Sequence, residues 1–172
     1  LDNKWEHIFS EVISKLQKNI AKTLNLGNPY QIVFAPNTHE FVNRILSCIQ
    51  KPNYQKIKVL STDSEFHSFN RQARRWVEAD IADVDFVPVE PYNTFAERWQ
   101  EKSKNPDYDI IFTSYVFFNS GLRCPELSSW VLGVPSKTMI VIDGYHSFYA
   151  IPMDLSAVEN RIFFMAGGYK YR

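Results

Sequence analysis

The stretch Met139-Ile-Val-Ile-Asp-Gly-Tyr-His146 places an aspartate directly after an apolar run, and Phe163-Phe-Met-Ala-Gly-Gly-Tyr-Lys-Tyr171 places a lysine shortly after the next one. Continuous apolar runs without alternating polar residues are typical of parallel strands that are covered on both faces. The carboxyl ends of such strands meet at one edge of the sheet, where open α/β sheets bind their ligands. We therefore expect Asp143 and Lys170 to face a common ligand.

The composition indicates a folded globular protein without an electrostatic partner. Of the 172 residues, 45% are hydrophobic and 22% are charged, and 19 basic residues balance 19 acidic ones. A formal charge of zero gives no indication of binding to nucleic acid or to an anionic membrane. Cys48 and Cys124 lie far apart and form no metal or redox motif, so we expect free thiols and no bound metal.

The two ends of the sequence and its apolar runs give a further expectation. No apolar run approaches the roughly 18 residues of a membrane helix, and no signal peptide precedes the first helix. We expect a soluble, cytoplasmic protein. The first residue is Leu and the chain ends two residues after Lys170, so we expect these residues to be an internal piece of a longer polypeptide.

Hydrophobic periodicity predicts alternating helices and strands along the chain. An amphipathic helix over residues 5–24 is expected to lie on a core, because its apolar residues recur at helical spacing. Pro88 places its segment either at an edge of the sheet or in irregular extended structure, because proline cannot donate to a ladder. The alternation predicts one α/β domain over residues 1–172, a three-layer sandwich around a mostly parallel sheet. The predicted strands cover residues 31–35, 57–61, 85–90, 109–114, 138–142 and 161–165, and the further helices cover residues 41–49, 69–78, 94–102 and 125–132.

Polar and aromatic residues follow several of the predicted strands. Asn37 or Thr38 stands at a predicted helix N-cap, which is either a plain cap or an anion site, because helix N-termini carry unpaired N–H groups. The sequence contains no P-loop and no GxGxxG motif. The residues expected to line the crevice at this edge are Asn37, Thr38, Glu65, Phe66, His67, Asn119, Asp143, His146, Tyr169 and Lys170.

Four motifs in order resemble the class V aminotransferase family of pyridoxal-phosphate enzymes. They are Asn-Thr-His-Glu from Asn37, Glu-Phe-His-Ser from Glu65, Ile-Asp-Gly-Tyr-His-Ser from Ile142 and Gly-Gly-Tyr-Lys-Tyr from Gly167. The Tyr-Lys-Tyr form is similar to the kynureninase-like members. The resemblance spans residue 30 to Lys170 and implies the cofactor-binding large domain of the aspartate aminotransferase-like fold, with the small carboxyl-terminal domain outside this chain. It also implies a homodimer.

The resemblance implies a role for each matched residue toward pyridoxal 5'-phosphate. Lys170 would form the Schiff base and later move the Cα proton of the substrate. Asp143 would keep the pyridine nitrogen protonated, which makes the ring an electron sink. Phe66 matches the residue that stacks on the ring. The phosphate would be held by Asn37, Thr38 and Tyr169, and the phenolic oxygen by Asn119 and His146, although the spacing around Asn119 differs by one residue from the desulfurase pattern.

The family does not fix the reaction, because its members include aminotransferases, kynureninases, cysteine desulfurases and related lyases. Desulfurases typically carry a histidine at the position of Phe66, and the chain shows no loop with a nucleophilic cysteine. Transamination of an amino acid is therefore placed ahead of kynureninase-like hydrolysis and of desulfurase or lyase chemistry. The alternative from another class is a non-catalytic binding module that retains the fold. The arginine expected to bind the substrate carboxylate, and any catalytic cysteine of a desulfurase, would lie beyond residue 172.

Overall fold

Five parallel strands form one sheet in the part of the chain that the structure describes. The structure is a computed structural model that describes residues 3–52 and 55–169. The strands are β1 (Ile57–Thr62), β2 (Ala82–Val87), β3 (Ile110–Ser114), β4 (Met139–Asp143) and β5 (Phe163–Met165). Their order in the sheet is β2-β1-β3-β4-β5. They all run in the same direction, so their carboxyl ends lie at one edge, as the sequence predicts.

Helices connect the first four strands in chain order, turns connect the fourth strand to the fifth, and helices cover both faces of the sheet. The amino-terminal helix contains α1 (Lys4–Glu6), a π-helical segment His7–Ile13 and α2 (Ser14–Leu24). No helix in the described residues is long and apolar enough to cross a membrane. The other helices are α3 (Thr38–Ser47), α4 (His67–Glu78), α5 (Tyr92–Ser103) and the short α6 (Leu127–Trp130), with single 3-10 turns at Pro29–Gln31 and Val131–Gly133.

Two apolar cores lie on opposite faces of the sheet. On one face, side chains of β1, β3 and β4 pack against Val42 of α3 and against Phe69 and Trp76 of α4. On the other face, alternate residues of the same strands pack against Phe95 and Trp99 of α5 and against α6. Strand residues of both faces are therefore buried, which explains their continuous apolar runs. The predicted three-layer α/β architecture is confirmed.

The amino-terminal helix differs from the prediction in how it meets the core. Its helical conformation is confirmed, but Trp5 and Phe9 are 61% and 63% exposed, and Val12 and Leu16 are also exposed. Contact with the core is made near its carboxyl end, where Leu24 is buried. The expectation that the whole apolar stripe lies on a core is therefore wrong for the described residues.

The predicted strand at residues 31–35 is also wrong. The chain forms a 3-10 turn at Pro29–Gln31, begun by the Asn28 side chain accepting from Tyr30 N at 2.9 Å, and then continues without sheet pairing. Val33 and Phe34 are exposed. A strand needs a partner for its ladder, and among the described residues no strand pairs with this segment.

The strand predicted at residues 85–90 begins earlier, at Ala82, and ends at Val87. Its edge position is confirmed, since β2 pairs with β1 alone among the described strands.

Candidate active site

Four aromatic rings gather beyond the carboxyl ends of β1, β3 and β4. Ring centroids of Phe66 and Phe118 are 5.3 Å apart, and those of His67 and Phe118 are 4.9 Å apart. His146 completes the group, with its ring centroid 5.9 Å from Phe66 and 6.3 Å from Phe118. We call these four residues the aromatic cluster. It joins three loops that lie far apart in sequence.

Asp143 is the last residue of β4 and lies half-buried at the same edge of the sheet. Its Oδ1 accepts a hydrogen bond from Tyr145 N at 2.9 Å, and its backbone oxygen accepts from Tyr115 N at 2.9 Å. In the ladder it lies opposite Ser114 on one side and Met165 on the other. The backbone of Asp143 is therefore fixed by both neighbouring strands, and its carboxylate is oriented by its own turn.

Two glycines allow close packing around this turn. A Cβ at Gly144 would lie 2.0 Å from the Phe164 ring, and a Cβ at Gly167 would lie 2.3 Å from the Tyr145 ring. Gly144 N also donates to Met165 O at 2.7 Å. The two aromatic side chains thus lie directly over glycine backbone, and the Asp143 turn is packed against the segment that follows β5.

A second carboxyl group, that of Glu65, is buried beneath the cluster with only 2% of its surface exposed. Its Oε1 lies 2.7 Å from Thr62 Oγ1, and its Oε2 accepts from Ser114 N at 2.9 Å and lies 2.6 Å from Ser114 Oγ. Desolvation raises the pKa of Glu65 to about 8, the nearby charge of Asp143 adds to the rise, and the hydrogen bonds with Ser114 and Thr62 oppose it. Burial of a carboxyl group without a cation favours its neutral form.

Some predicted site residues come together and others do not. Phe66, His67, His146 and Asp143 lie at the predicted edge, and Asn119 Nδ2 donates to Ser64 Oγ at 3.4 Å in the loop beside them. In contrast, Asn37 Oδ1 accepts from Glu40 N at 2.9 Å and Thr38 begins α3, so this pair is a helix cap. No hydrogen bond within the described part of the chain joins that cap to the aromatic cluster.

Tyr169 is the last residue that the structure describes. Tyr169 is 88% exposed. Lys170 lies outside the described residues, so its predicted role stays a prediction. The roles of Asn37, Thr38, Asn119, His146 and Tyr169 toward a cofactor likewise stay predictions.

Sequence reasoning misses one member of the site and assigns no task to another. Phe118 is absent from the predicted residues, although its ring contacts the three other rings of the cluster. Its signal is its place after β3 in Val-Phe-Phe-Asn, where Phe117 enters the core and Phe118 does not. Glu65 is expected to line the crevice but has no individual role in the prediction, because its burial depends on Ser114, 49 residues further along the chain.

The fold and the site define an α/β domain whose parallel sheet carries aromatic rings and a carboxyl group at its carboxyl edge. The aminotransferase class V family profile matches residues 3–171. The chain therefore belongs to the class V aminotransferase family, as its motifs predict, and the family indicates pyridoxal phosphate as its cofactor.

Solved structures with the same fold are similar to the chain over most of its length. One is the cystine C-S lyase C-DES with its reaction product cysteine persulfide, at TM-score 0.78 and 20% identity, covering 96% of this chain and 44% of that one. Another is SspA in complex with cysteine, at TM-score 0.74 and 19% identity, covering 92% of this chain and 45% of that one. A third is the cysteine desulfurase CsdA from Escherichia coli, at TM-score 0.72 and 19% identity, covering 92% of this chain and 40% of that one. The chain thus spans less than half the length of these structures. No curated protein sequence matches it.

The chemistry of the residues present fits pyridoxal phosphate. Asp143 offers a carboxylate suited to a protonated pyridine nitrogen, and Phe66, whose side chain is 40% exposed, offers a ring face to the same space. The neutral form of Glu65 leaves Asp143 as the carboxylate that carries the charge. Aromatic and acidic groups in this combination suit a flat, cationic heteroaromatic ring.

Proposed function

We propose that the protein is a pyridoxal-phosphate-dependent enzyme that acts on an amino acid, with transamination as its reaction and a homodimer as its form in the cytoplasm. The observation that carries the proposal is the half-buried Asp143 carboxylate, held by Tyr145 N at the sheet edge that also presents the Phe66 ring. On this proposal residues 1–172 belong to the cofactor-binding large domain, and the small domain lies elsewhere in the whole protein.

Each residue of the site has a task that its chemistry supports. When bound, pyridoxal phosphate supplies an electron sink for the bonds at the amino acid Cα. Asp143 holds the proton on the pyridine nitrogen, because a carboxylate stabilises the adjacent cation. Phe66 packs against one face of the ring, and the rest of the aromatic cluster limits access of water. Lys170 is proposed to attach the cofactor and to move the Cα proton.

Cleavage of a C–S bond in cysteine or cystine is the second candidate. It is favoured by the similar structures, which include a cystine C-S lyase and cysteine desulfurases. Phe66 argues against the desulfurase form of this chemistry, since the resemblance places a histidine there in typical desulfurases. Kynureninase-like hydrolysis is a further alternative, suggested by the Tyr-Lys-Tyr motif alone.

Cofactor binding is tested first, with the whole protein. Added pyridoxal phosphate is expected to give the visible absorbance of a lysine-linked cofactor and an adduct that borohydride makes permanent. Lys170→Ala is expected to lose both signals, whereas the exposed Lys22→Ala serves as the matched control and keeps them. Absence of any signal in the unaltered protein would favour a non-catalytic module that retains the fold.

The reaction is tested next with a panel of amino acids under single-turnover conditions. In a single turnover, transamination yields one molecule of the corresponding 2-oxo acid per active site and releases no sulfur. C–S cleavage releases sulfide or persulfide from cysteine or cystine. Two results together would favour the lyase proposal over the aminotransferase proposal. Cysteine would release sulfur, and sulfur-free amino acids would yield no 2-oxo acid.

A further inference from the structure

We propose that Glu65 is a positioning residue of the cofactor site, which ties the β1–α4 turn to the end of β3 and thereby sets the Phe66 ring relative to the Asp143 carboxylate. This inference rests on the proposed function, because it assigns Glu65 a task only if Phe66 and Asp143 hold the cofactor. Neither the family match nor the similar structures assign a role to this residue.

The hydrogen bonds of Glu65 connect the two segments that carry the site. One carboxyl oxygen contacts Thr62, the last residue of β1, and the other contacts both the backbone and the side chain of Ser114, the last residue of β3. Phe66 is the next residue in the chain, so its Cα is held wherever Glu65 is held. Ser114 lies opposite Asp143 in the ladder, and Tyr115 N bonds Asp143 O. A continuous set of contacts thus runs from Phe66 to Asp143.

Burial decides which form of Glu65 performs this task. Within residues 3–52 and 55–169 no Lys, Arg or His forms an ion pair with Glu65. Among the described residues, Asp143 is the titratable group whose charge raises the pKa of Glu65. Two close carboxylates disfavour double ionisation, and the fully buried one is the costlier to charge. Glu65 is therefore the neutral acid, and Asp143 keeps the negative charge that the pyridine nitrogen needs.

The neutral acid accounts for each hydrogen bond. Its carbonyl oxygen Oε2 accepts from Ser114 N and from the Ser114 hydroxyl, and Oε1 lies against Thr62 Oγ1, which donates to it. A threonine hydroxyl can also turn to accept, so Thr62 can pair with either a carboxylate oxygen or a protonated one. Glutamine has the same shape and can form contacts at both positions, with its amide oxygen toward Ser114 and its NH₂ toward Thr62. The pair Glu65→Gln and Glu65→Leu therefore separates the hydrogen-bonding role from a need for charge.

A control is available at the opposite end of the sheet. Thr138, with 2% of its surface exposed, donates through Oγ1 to Tyr108 O at 2.9 Å just before β4 begins. Thr138→Val removes a buried hydrogen bond of similar depth that lies far along the strand from Asp143. Loss of stability alone is thereby distinguished from loss of site geometry.

The experiment measures the dissociation constant of pyridoxal phosphate and the thermal midpoint of the cofactor-free whole protein for each variant. Glu65→Gln is expected to bind within about threefold of the unaltered protein, and Glu65→Leu about tenfold or more weakly. Thr138→Val is expected to lower the thermal midpoint and leave the affinity within about twofold. If Glu65→Leu does not fold, Ser114→Ala, which removes one of the three bonds, is expected to weaken binding by a smaller factor of about three.

The outcomes separate this inference from the proposed function. Unaltered protein that fails to bind pyridoxal phosphate overturns the proposed function, and the inference with it, because no cofactor site then exists to position. Unaltered protein that binds, together with a folded Glu65→Leu or Ser114→Ala of unchanged affinity, overturns the inference alone. Equal weakening in Glu65→Gln and Glu65→Leu would also overturn it, because the charge and not the hydrogen-bonding pattern would then be what the site needs.

Discussion

Replacing Glu65 with glutamine should make the protein's stability less sensitive to pH. Desolvation raises the pKa of Glu65 from an ordinary value of 4.5 to about 8, and the charge of Asp143 contributes, despite the opposing hydrogen bonds from Ser114 and Thr62. Between these two values the folded protein holds a proton at Glu65 that the unfolded chain has released. Glutamine holds no titrating proton in either state, so this contribution is absent from Glu65→Gln.

The sign and the size of the effect follow from proton linkage. Because the folded state binds the extra proton, the stability contributed by the neutral acid is complete below pH 4.5 and is lost as the pH rises toward 8. One proton changes the unfolding equilibrium constant about tenfold per pH unit. Over the interval from pH 4.5 to about 8 the loss is on the order of 3,000-fold, or about 5 kcal/mol. It levels off above the folded-state pKa.

Urea unfolding of the cofactor-free whole protein at pH 5, 6, 7 and 8 measures this loss. The difference in unfolding free energy between Glu65→Gln and the unaltered protein should shift in favour of the glutamine variant as the pH rises. The exposed Glu78→Gln is the matched control and should show a difference that stays level with pH. A level difference for Glu65→Gln as well would refute the reasoning, because Glu65 would then hold no excess proton in the folded state.

Three further substitutions test the packing, the helix cap and the ring. Gly144→Ala should destabilise the protein by about 1 to 3 kcal/mol, because the added Cβ would lie 2.0 Å from the Phe164 ring. Urea unfolding measures this loss, and an unchanged unfolding midpoint would show that the Phe164 ring moves aside without cost. Asn37→Ala should cost about 1 kcal/mol of unfolding free energy through the lost bond to Glu40 N; if it instead weakens pyridoxal phosphate binding at unchanged stability, the cap is a phosphate site. Phe66→Ala should leave the thermal midpoint nearly unchanged, since the side chain is 40% exposed, and weaken pyridoxal phosphate binding about tenfold; equal binding would remove Phe66 from the site.

Burial on both faces made the central strands predictable from sequence. β3 and β4 lie within one residue of their predicted bounds, because each is a continuous apolar run whose composition is set by two cores. The segment at residues 31–35 has a similar composition but forms no strand. Apolar composition favours an extended conformation locally, whereas a ladder requires a second segment, and composition carries no information about that partner.

The amino-terminal helix also shows that a local sequence pattern does not predict tertiary contacts. Its periodicity correctly predicts helical conformation over residues 5–24, because spacing is a local property. The same periodicity predicted burial of the apolar stripe, but Trp5 and Phe9 remain exposed. Helical spacing of apolar residues identifies the face that can be buried, and only the arrangement of the other elements determines whether it is.

The site was predictable where one rule of sheet geometry applies. Phe66, Asp143 and His146 converge because they follow parallel strands, whose carboxyl ends share an edge. Asn37 is also predicted at this edge, but it follows a segment that is not a strand, so the rule of sheet geometry does not apply to it. Phe118 was missed because the two adjacent phenylalanines after β3 have the same chemistry, and only the turn that follows decides which one enters the core.

Glu65 shows why burial and protonation are hard to predict from sequence. A glutamate between Ser64 and Phe66 has the pattern of an exposed turn residue, and its partners are the hydroxyl of Thr62 and the end of β3. These partners meet only because β1 and β3 are neighbours in the sheet although β2 lies between them in sequence. Once they meet, water is excluded from the carboxyl group, and its neutral form follows from desolvation next to Asp143. The strand order thus determines the burial of this carboxyl group, and with it the rise in its pKa, which its position in the sequence does not predict.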